Sequence, residues 1–220
     1  MPSRMLHYYV AEQVLRVLPV VDKNRFKIGS LCPDMTVSDD GSKQMTHFFD
    51  VLGNKKGVNW KRFEQEYGGK ITEDTLYAGI LCHLITDAIW FSEMSEPLIR
   101  SVSATKEERN AGYQKGYADY HKLNDILRRE HGLTYELKED RDICLCGIHQ
   151  EKFEDVFDGM YADFYCEPPA EKEALEVFRY EAVMACMEHC VAACIKALQN
   201  LREGRETPEP EQYYVPVRNW

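Results

Sequence analysis

The stretch Gly79–Phe91, GILCHLITDAIWF, constrains the fold more than any other part of the chain. Apolar and small residues fill nearly all of it, without the alternation of a half-buried strand, so it reads as a helix buried on all sides. A chain that owns such a helix must wrap others around it. In its middle stand His83 and Asp87, four residues apart and therefore on one helix face. An unpaired carboxylate inside a core costs several kcal/mol even after relaxation, so Asp87 requires a cation, a metal or several donors. A simple His–Asp ion pair, or an arginine from elsewhere, meets that need as well as a metal does.

Helical periodicity dominates the remainder, and strand alternation is nearly absent. Residues 3–18 predict a first helix with Leu6, Val10, Val14 and Val17 as its stripe and Pro19 as its stop. A turn-rich loop follows, carrying GSLCPDMTVSDDGS. Short helices are expected over 44–51 and 58–67, the latter ending at Gly68 and Gly69, and the buried helix spans about 72–94. The capping box TKEE at 105–108 starts a helix that runs to His131 and stops at Gly132. Residues 148–158 are expected to be helical, and Pro168 and Pro169 open a last long helix that ends near Gly204. No repeat or linker divides the chain. The expectation is one all-α domain over 1–205, a helical bundle, with the tail 206–220 packing back on it through its aromatics.

A net charge of −10 argues against a nucleic-acid binder held by a basic surface and against adhesion to anionic membranes. The N-terminal stretch is interrupted by His7, Glu12, Gln13 and Arg16, so it reads as an amphipathic helix and not as a signal peptide. No stretch reaches the roughly 20 apolar residues of a spanning helix. A soluble, cytoplasmic protein is expected. Of the eight cysteines, Cys186, Cys190 and Cys194 recur every four residues. With His189 nearby they suggest a metal site, but small core side chains against a neighbouring helix explain them more simply. Cys144 and Cys146 lack zinc-knuckle spacing and are expected as reduced thiols.

The His83/Asp87 pair has company. His121 and Asp125 repeat the four-residue spacing in YADYHKLNDIL, Asp34 follows an apolar run in CPDM, His47 stands in MTHFF, and His7 shares a face with Val10, Ala11 and Val14. Each has a plain reading: a satisfied histidine for His7, a turn or cap residue for Asp34, a solvated helix pair for His121 and Asp125. Together they are imidazoles and carboxylates on separate helices, the donors that zinc accepts and the setting in which bundles build metal sites. His131, at a helix end, and His149 and His189 are left outside this set.

In order along the chain stand an early His, Pro-Asp after IGSL, Thr-His, YAGILCHLITDAIW and a His-x-x-x-acid helix. Over about residues 1–130 this resembles the zinc-dependent phospholipase C family, which is related to single-strand-specific fungal nucleases. The resemblance implies an all-α fold with a cleft holding up to three zinc ions that hydrolyses phosphate esters. It implies that Asp34, His47, His83 and Asp87 hold a first zinc, with Asp87 bridging to another. His121 and Asp125 would serve a second ion and His7 a third. Two departures stand out. The family's further His shortly after the bridging Asp is missing from AIWFSEM, where Glu93 is the available substitute, and the chain begins Met1-Pro2, with no N-terminal Trp to chelate.

The activity implied is phosphoester hydrolysis of the phospholipase C kind, with one to three zinc ions and a small phosphoester or phospholipid headgroup as substrate. Zinc lowers the pKa of bound water from 15.7 to about 7 and neutralises phosphoryl oxygens; Asp34 would bind metal and take the water's proton. Another all-α class of metallophosphohydrolases, built on adjacent His-Asp, is disfavoured because the chain contains no such dipeptide. A non-catalytic relative keeping one structural metal, and a helical interaction module whose buried pairs serve packing, remain the alternatives.

Overall fold

A computed structural model describes residues 1–37, 40–165 and 170–218. The fold is mostly α, a single body around the predicted buried helix. Eight α-helices occur among the described residues: α1 Arg4–Val17, α2 Lys23–Gly29, α3 Ser42–Thr46, α4 Trp60–Glu73, α5 Thr75–Trp90, α6 Lys106–His131, α7 Phe153–Phe164 and α8 Tyr180–Arg202. All but one of the residues of α5 are buried, as its composition requires. α2, α4, α8 and α1 pack around it.

Helix ends follow their caps. Ser3 receives the Leu6 N–H at the start of α1, and Thr105 receives the Glu108 N–H at the start of α6, which closes on left-handed Gly132. Asp74 divides what the sequence suggests as one helix over 72–94. It ends α4, caps α5 by accepting from the Leu76 N–H, and takes Arg25 in a bidentate pair at 2.7 and 2.8 Å. α5 then continues as a wide π-helical stretch, Phe91–Arg100, with Pro97 inside it and the Ser101 N–H bonded to the Glu96 carbonyl. The run Thr75–Arg100 is long and apolar enough to cross a membrane, contrary to the expectation that no such stretch exists. However, 89% of its apolar window is buried within the protein.

Three further differences bear on the site. The stretch expected as a helix over 44–51 is helical only to Thr46; then β1 (Phe49–Leu52) and β2 (Lys55–Val58) form a hairpin, and β3 (Val215–Pro216) joins β2 antiparallel, Val215 opposite Lys56. α4 runs through Gly68 and Gly69, because Trp60, Phe63 and Ile71 are buried along one face. The helix expected over 148–158 begins instead at Phe153. The last helix begins at Tyr180; Pro168 and Pro169, its predicted opening, lie outside the described residues.

Residues 206–218 of the tail lie against the body. The Trp60 indole donates to the Pro208 carbonyl at 3.0 Å, Tyr214 and Val215 are buried, and Arg218 pairs with Glu96. The cysteines of α8 are core side chains: Cys190 and Cys194 are wholly buried, and the Cys194 thiol faces the Cys82 carbonyl on α5 at 3.6 Å.

Candidate metal centre

α2 and α5 meet backbone to backbone. A Cβ on Gly79 would lie 2.1 Å from the Phe26 carbonyl oxygen, and one on Gly29 would lie 2.1 Å from that of Leu76. Only two glycines permit this approach. It brings the carbonyl of Ser30, at the end of α2, to 2.8 Å from His83 Nδ1. A single 3-10 turn, Cys32–Asp34, then returns the chain so that Asp34 faces α5. His47 ends α3, and Phe48 directly after it holds φ at 50°, a left-handed conformation costly for a large side chain. That sharp corner turns His47 inward while the Phe48 ring anchors against Phe63 and Tyr67. From α1, His7 stacks flat on His83, with ring centres 3.9 Å apart and planes 8° from parallel.

Five side chains predicted from the sequence therefore converge. Asp34 Oδ1 to His47 Nε2 is 3.3 Å, His47 Nε2 to His83 Nε2 is 3.3 Å, His83 Nε2 to Asp87 Oδ2 is 3.3 Å, and His47 Nε2 to Asp87 Oδ2 is 3.4 Å. These are four of the six separations among the four donor atoms. With zinc–ligand distances of about 2.0–2.1 Å, neighbouring donors of a tetrahedral ion lie about 3.3–3.4 Å apart, which these four separations match. Asp34, His47 and His83 form a group with donor atoms within 4.8 Å of one another. His7 Nε2 lies 3.4 Å from the other Asp87 oxygen, Oδ1, and His7, His83 and Asp87 form a second group with donor atoms within 4.8 Å of one another.

The tautomers agree with this fit. His83 Nδ1–H donates to the Ser30 carbonyl, and His47 Nδ1–H to the Lys43 carbonyl at 3.0 Å with the Thr46 hydroxyl at 2.9 Å. Each Nε2 then points a lone pair at the centre, as outer-shell partners of metal-binding imidazoles do. Two lone pairs at 3.3 Å repel unless a cation or a proton lies between them. Asp87 is fully buried, and neither of its oxygens has a well-formed hydrogen bond; both nitrogens of His7 are in the same position. Orphaned buried donors and acceptors on this scale call for a partner.

Charge is already unevenly held. Burial alone would raise the Asp87 carboxyl, but His83 and His7 outweigh it and hold it far below the usual carboxylate range. Asp34 is likewise held low: burial pushes up, while His47, His83 and Lys43 pull down more strongly. Burial drives His7 down to about 4, with His83 adding to the effect and Asp87 opposing. Burial also lowers His47, whereas for His83 Asp87 overcomes burial and the pKa rises. The set is thus two carboxylates ionised at neutral pH facing mostly neutral imidazoles, the ligand state that a divalent cation requires.

The second predicted pair does not join the cluster. Asp125 is buried, but its oxygens accept from Arg128 at 3.0 Å, Arg129 at 2.9 Å and the Ala170 N–H at 2.9 Å, which satisfies the carboxylate. His121 is exposed on α6, on the wall of a cavity of about 410 Å³ that also reaches Asp34 and Asp163. Glu93 is no substitute ligand, since it pairs with His189 at 2.7 Å. His149, left outside the candidate set, meets Asp40 at 2.8 Å and Glu151 at 2.9 Å. Sequence reasoning missed Lys43, whose ammonium lies 3.6 Å from Asp34. Its placement one helical turn before His47 was the available signal.

Comparison with protein-family models, with curated proteins and with solved structures finds no match to this chain.

Proposed function

We propose that the chain is a zinc-dependent phosphoester hydrolase of the phospholipase C kind, acting in the cytoplasm. The observation that carries this reading is the convergence of Asp34, His47, His83 and Asp87, from three separate segments, with neighbouring donor atoms 3.3–3.4 Å apart. His7 on the far Asp87 oxygen supplies the beginning of a second position. When bound, zinc lends positive charge to a phosphoryl group and makes water acidic enough to attack at neutral pH.

The protein's own groups have the following roles. Asp87 is wholly buried, with His7 beside one oxygen and His47 and His83 beside the other, and supplies the negative charge that a cation held there would balance. Asp34 has a side chain 21% exposed and is the ligand that reaches the cavity, so it is placed to take the proton of an attacking water. Lys43 steadies Asp34 and adds a positive charge to the cavity rim.

A second reading is favoured by one observation. Four protein ligands on one ion would leave it no open position, and closed sites are characteristic of structural zinc. In that case the chain is a non-catalytic relative that keeps its metal for stability. Elemental analysis of the purified protein, followed by hydrolysis of a chromogenic phosphodiester with and without zinc, separates the two. Turnover that requires zinc and is lost in Asp34→Asn supports the enzyme. Stoichiometric zinc without turnover supports the structural role, and absence of bound metal after zinc loading refutes both.

A further inference from the structure

The turn that joins α1 to α2 carries an unusual amount of bare apolar surface for its length. Helix α1 stops at Val17, and Leu18 is extended (φ −100°, ψ 134°), so side chains beyond it alternate between core and solvent. Leu18 is buried and Val20 packs on the core, whereas Val17, Pro19 and Val21 face water, Val17 at 59% exposure and Val21 fully exposed. A contiguous apolar row on a projecting tip marks contact with something other than water. The rim of this tip is basic. Arg16 and Lys23 flank the row, and Arg202 of α8 donates to the Pro19 carbonyl at 2.9 Å, which holds the turn in place. Arg16 meets the neutral Gln13 amide at 3.4 Å, and among the described residues none of these three cations pairs with a carboxylate. Asp22, the one carboxylate between Arg16 and Asn24, accepts the Arg25 N–H at 2.9 Å as the cap of α2.

We propose that this tip docks the protein on a lipid bilayer bearing anionic headgroups, with Val17, Pro19 and Val21 in the interface and Arg16, Lys23 and Arg202 against the phosphates. Shape and charge together select the bilayer. A convex apolar tip is accommodated by a fluid interface that yields around it, and cations unmatched within the chain find their partners in the headgroup layer. The net charge of −10 does not forbid this. At physiological salt charges are screened beyond about 8 Å, so the groups nearest the bilayer decide the sign. The tip joins the ends of α1 and α2 that lie away from His7 and Ser30. At about 1.5 Å per residue, Val17 stands roughly 15 Å along α1 from His7. Docking therefore leaves the candidate metal centre off the bilayer, and the inference stands whether or not that centre holds zinc.

The test is co-sedimentation of the full chain with vesicles of phosphatidylcholine alone and of phosphatidylcholine mixed equally with phosphatidylserine. Wild type should bind the mixed vesicles, bind the neutral ones more weakly, and be released by high salt. Val21→Asp should bind roughly tenfold more weakly. The double variant Arg16→Gln/Lys23→Gln should lose roughly thirtyfold, since each cation near an anionic surface counts about equally. Val51→Asp on β1, also an exposed valine, serves as the control and should bind as wild type does. All these positions are exposed, and thermal melts of the variants confirm that each is folded. No binding of wild type to mixed vesicles, equal binding to both kinds, or equal binding by wild type and the two tip variants overturns the proposal. Self-association of wild type that Val21→Asp abolishes, seen by analytical ultracentrifugation without vesicle binding, also overturns it and assigns the tip to a second copy of the chain.

Discussion

Asp87 is the residue on which the centre turns. Its two oxygens face His7 on one side and His47 and His83 on the other, at 3.3–3.4 Å. Asp87→Asn keeps the volume and removes the charge, so zinc affinity should fall by more than the roughly 10–100-fold typical of losing an outer-shell partner; competition with a fluorescent chelator measures it. The same residues set a pH dependence for the metal-free protein. His7, held at about 4, stays neutral in the fold while the unfolded chain takes up a proton near 6.5, so stability is lost as pH falls between those values. That single group accounts for about 3 kcal/mol; buried His47 acts in the same direction, and His83, whose pKa is raised, opposes them with its one proton. Chemical denaturation of the metal-free protein at pH 7.5 and 5 should therefore show a less stable protein in acid. A flat profile would mean that His7 is solvated. The first site was legible because each of its residues sits at a helix face or turn whose direction the neighbouring apolar residues fix. The pair His121/Asp125 misled because four-residue spacing is equally common on surfaces. Arg128 and Arg129, the next turn along in LNDILRREH, capture the carboxylate.

Among elements, the α2–α5 contact does the positioning. Gly79→Ala would drive a methyl into the Phe26 carbonyl, so the helices must part and His83 must leave Ser30. A cost of about 3 kcal/mol or more is expected, together with loss of zinc uptake, both readable by melting with and without metal. Gly68 in α4 makes the opposite case, since a Cβ there meets nothing within 4 Å. Gly68→Ala should stabilise by about 0.5–1 kcal/mol. The two glycines also show why boundaries were hard to read. Gly68–Gly69 looks like a stop, but Trp60, Phe63 and Ile71 make tertiary contacts that outweigh the local cost of two helical glycines. The hairpin was hidden for a related reason. Gly53–Asn54 is a two-residue loop of the right type, with Gly53 at φ 61°. Its strands, four residues each and half exposed, are too short to show alternation.

For the whole molecule, a metal that binds only the folded state acts as a stabiliser. At a thousandfold excess over its dissociation constant zinc contributes about 4 kcal/mol, so the thermal midpoint should rise by roughly 8–16 °C over the chelated protein. An unchanged melt removes the metal from the account of this fold. The all-α class and the single body were readable at this scale because one helix, α5, is apolar all round and every other element has to cover it. What covers it comes from both ends of the chain, and there lies a consequence of the cluster's position. All its ligands fall between His7 and Asp87, whereas α8, which closes over α5 with Cys190 and Cys194, begins only at Tyr180. During synthesis from the N-terminus, the complete candidate chelating set is made before α8. An ion held by that set could then be captured before the hydrophobic interior closes, and a shortage of such an ion would be met first as a defect in maturation.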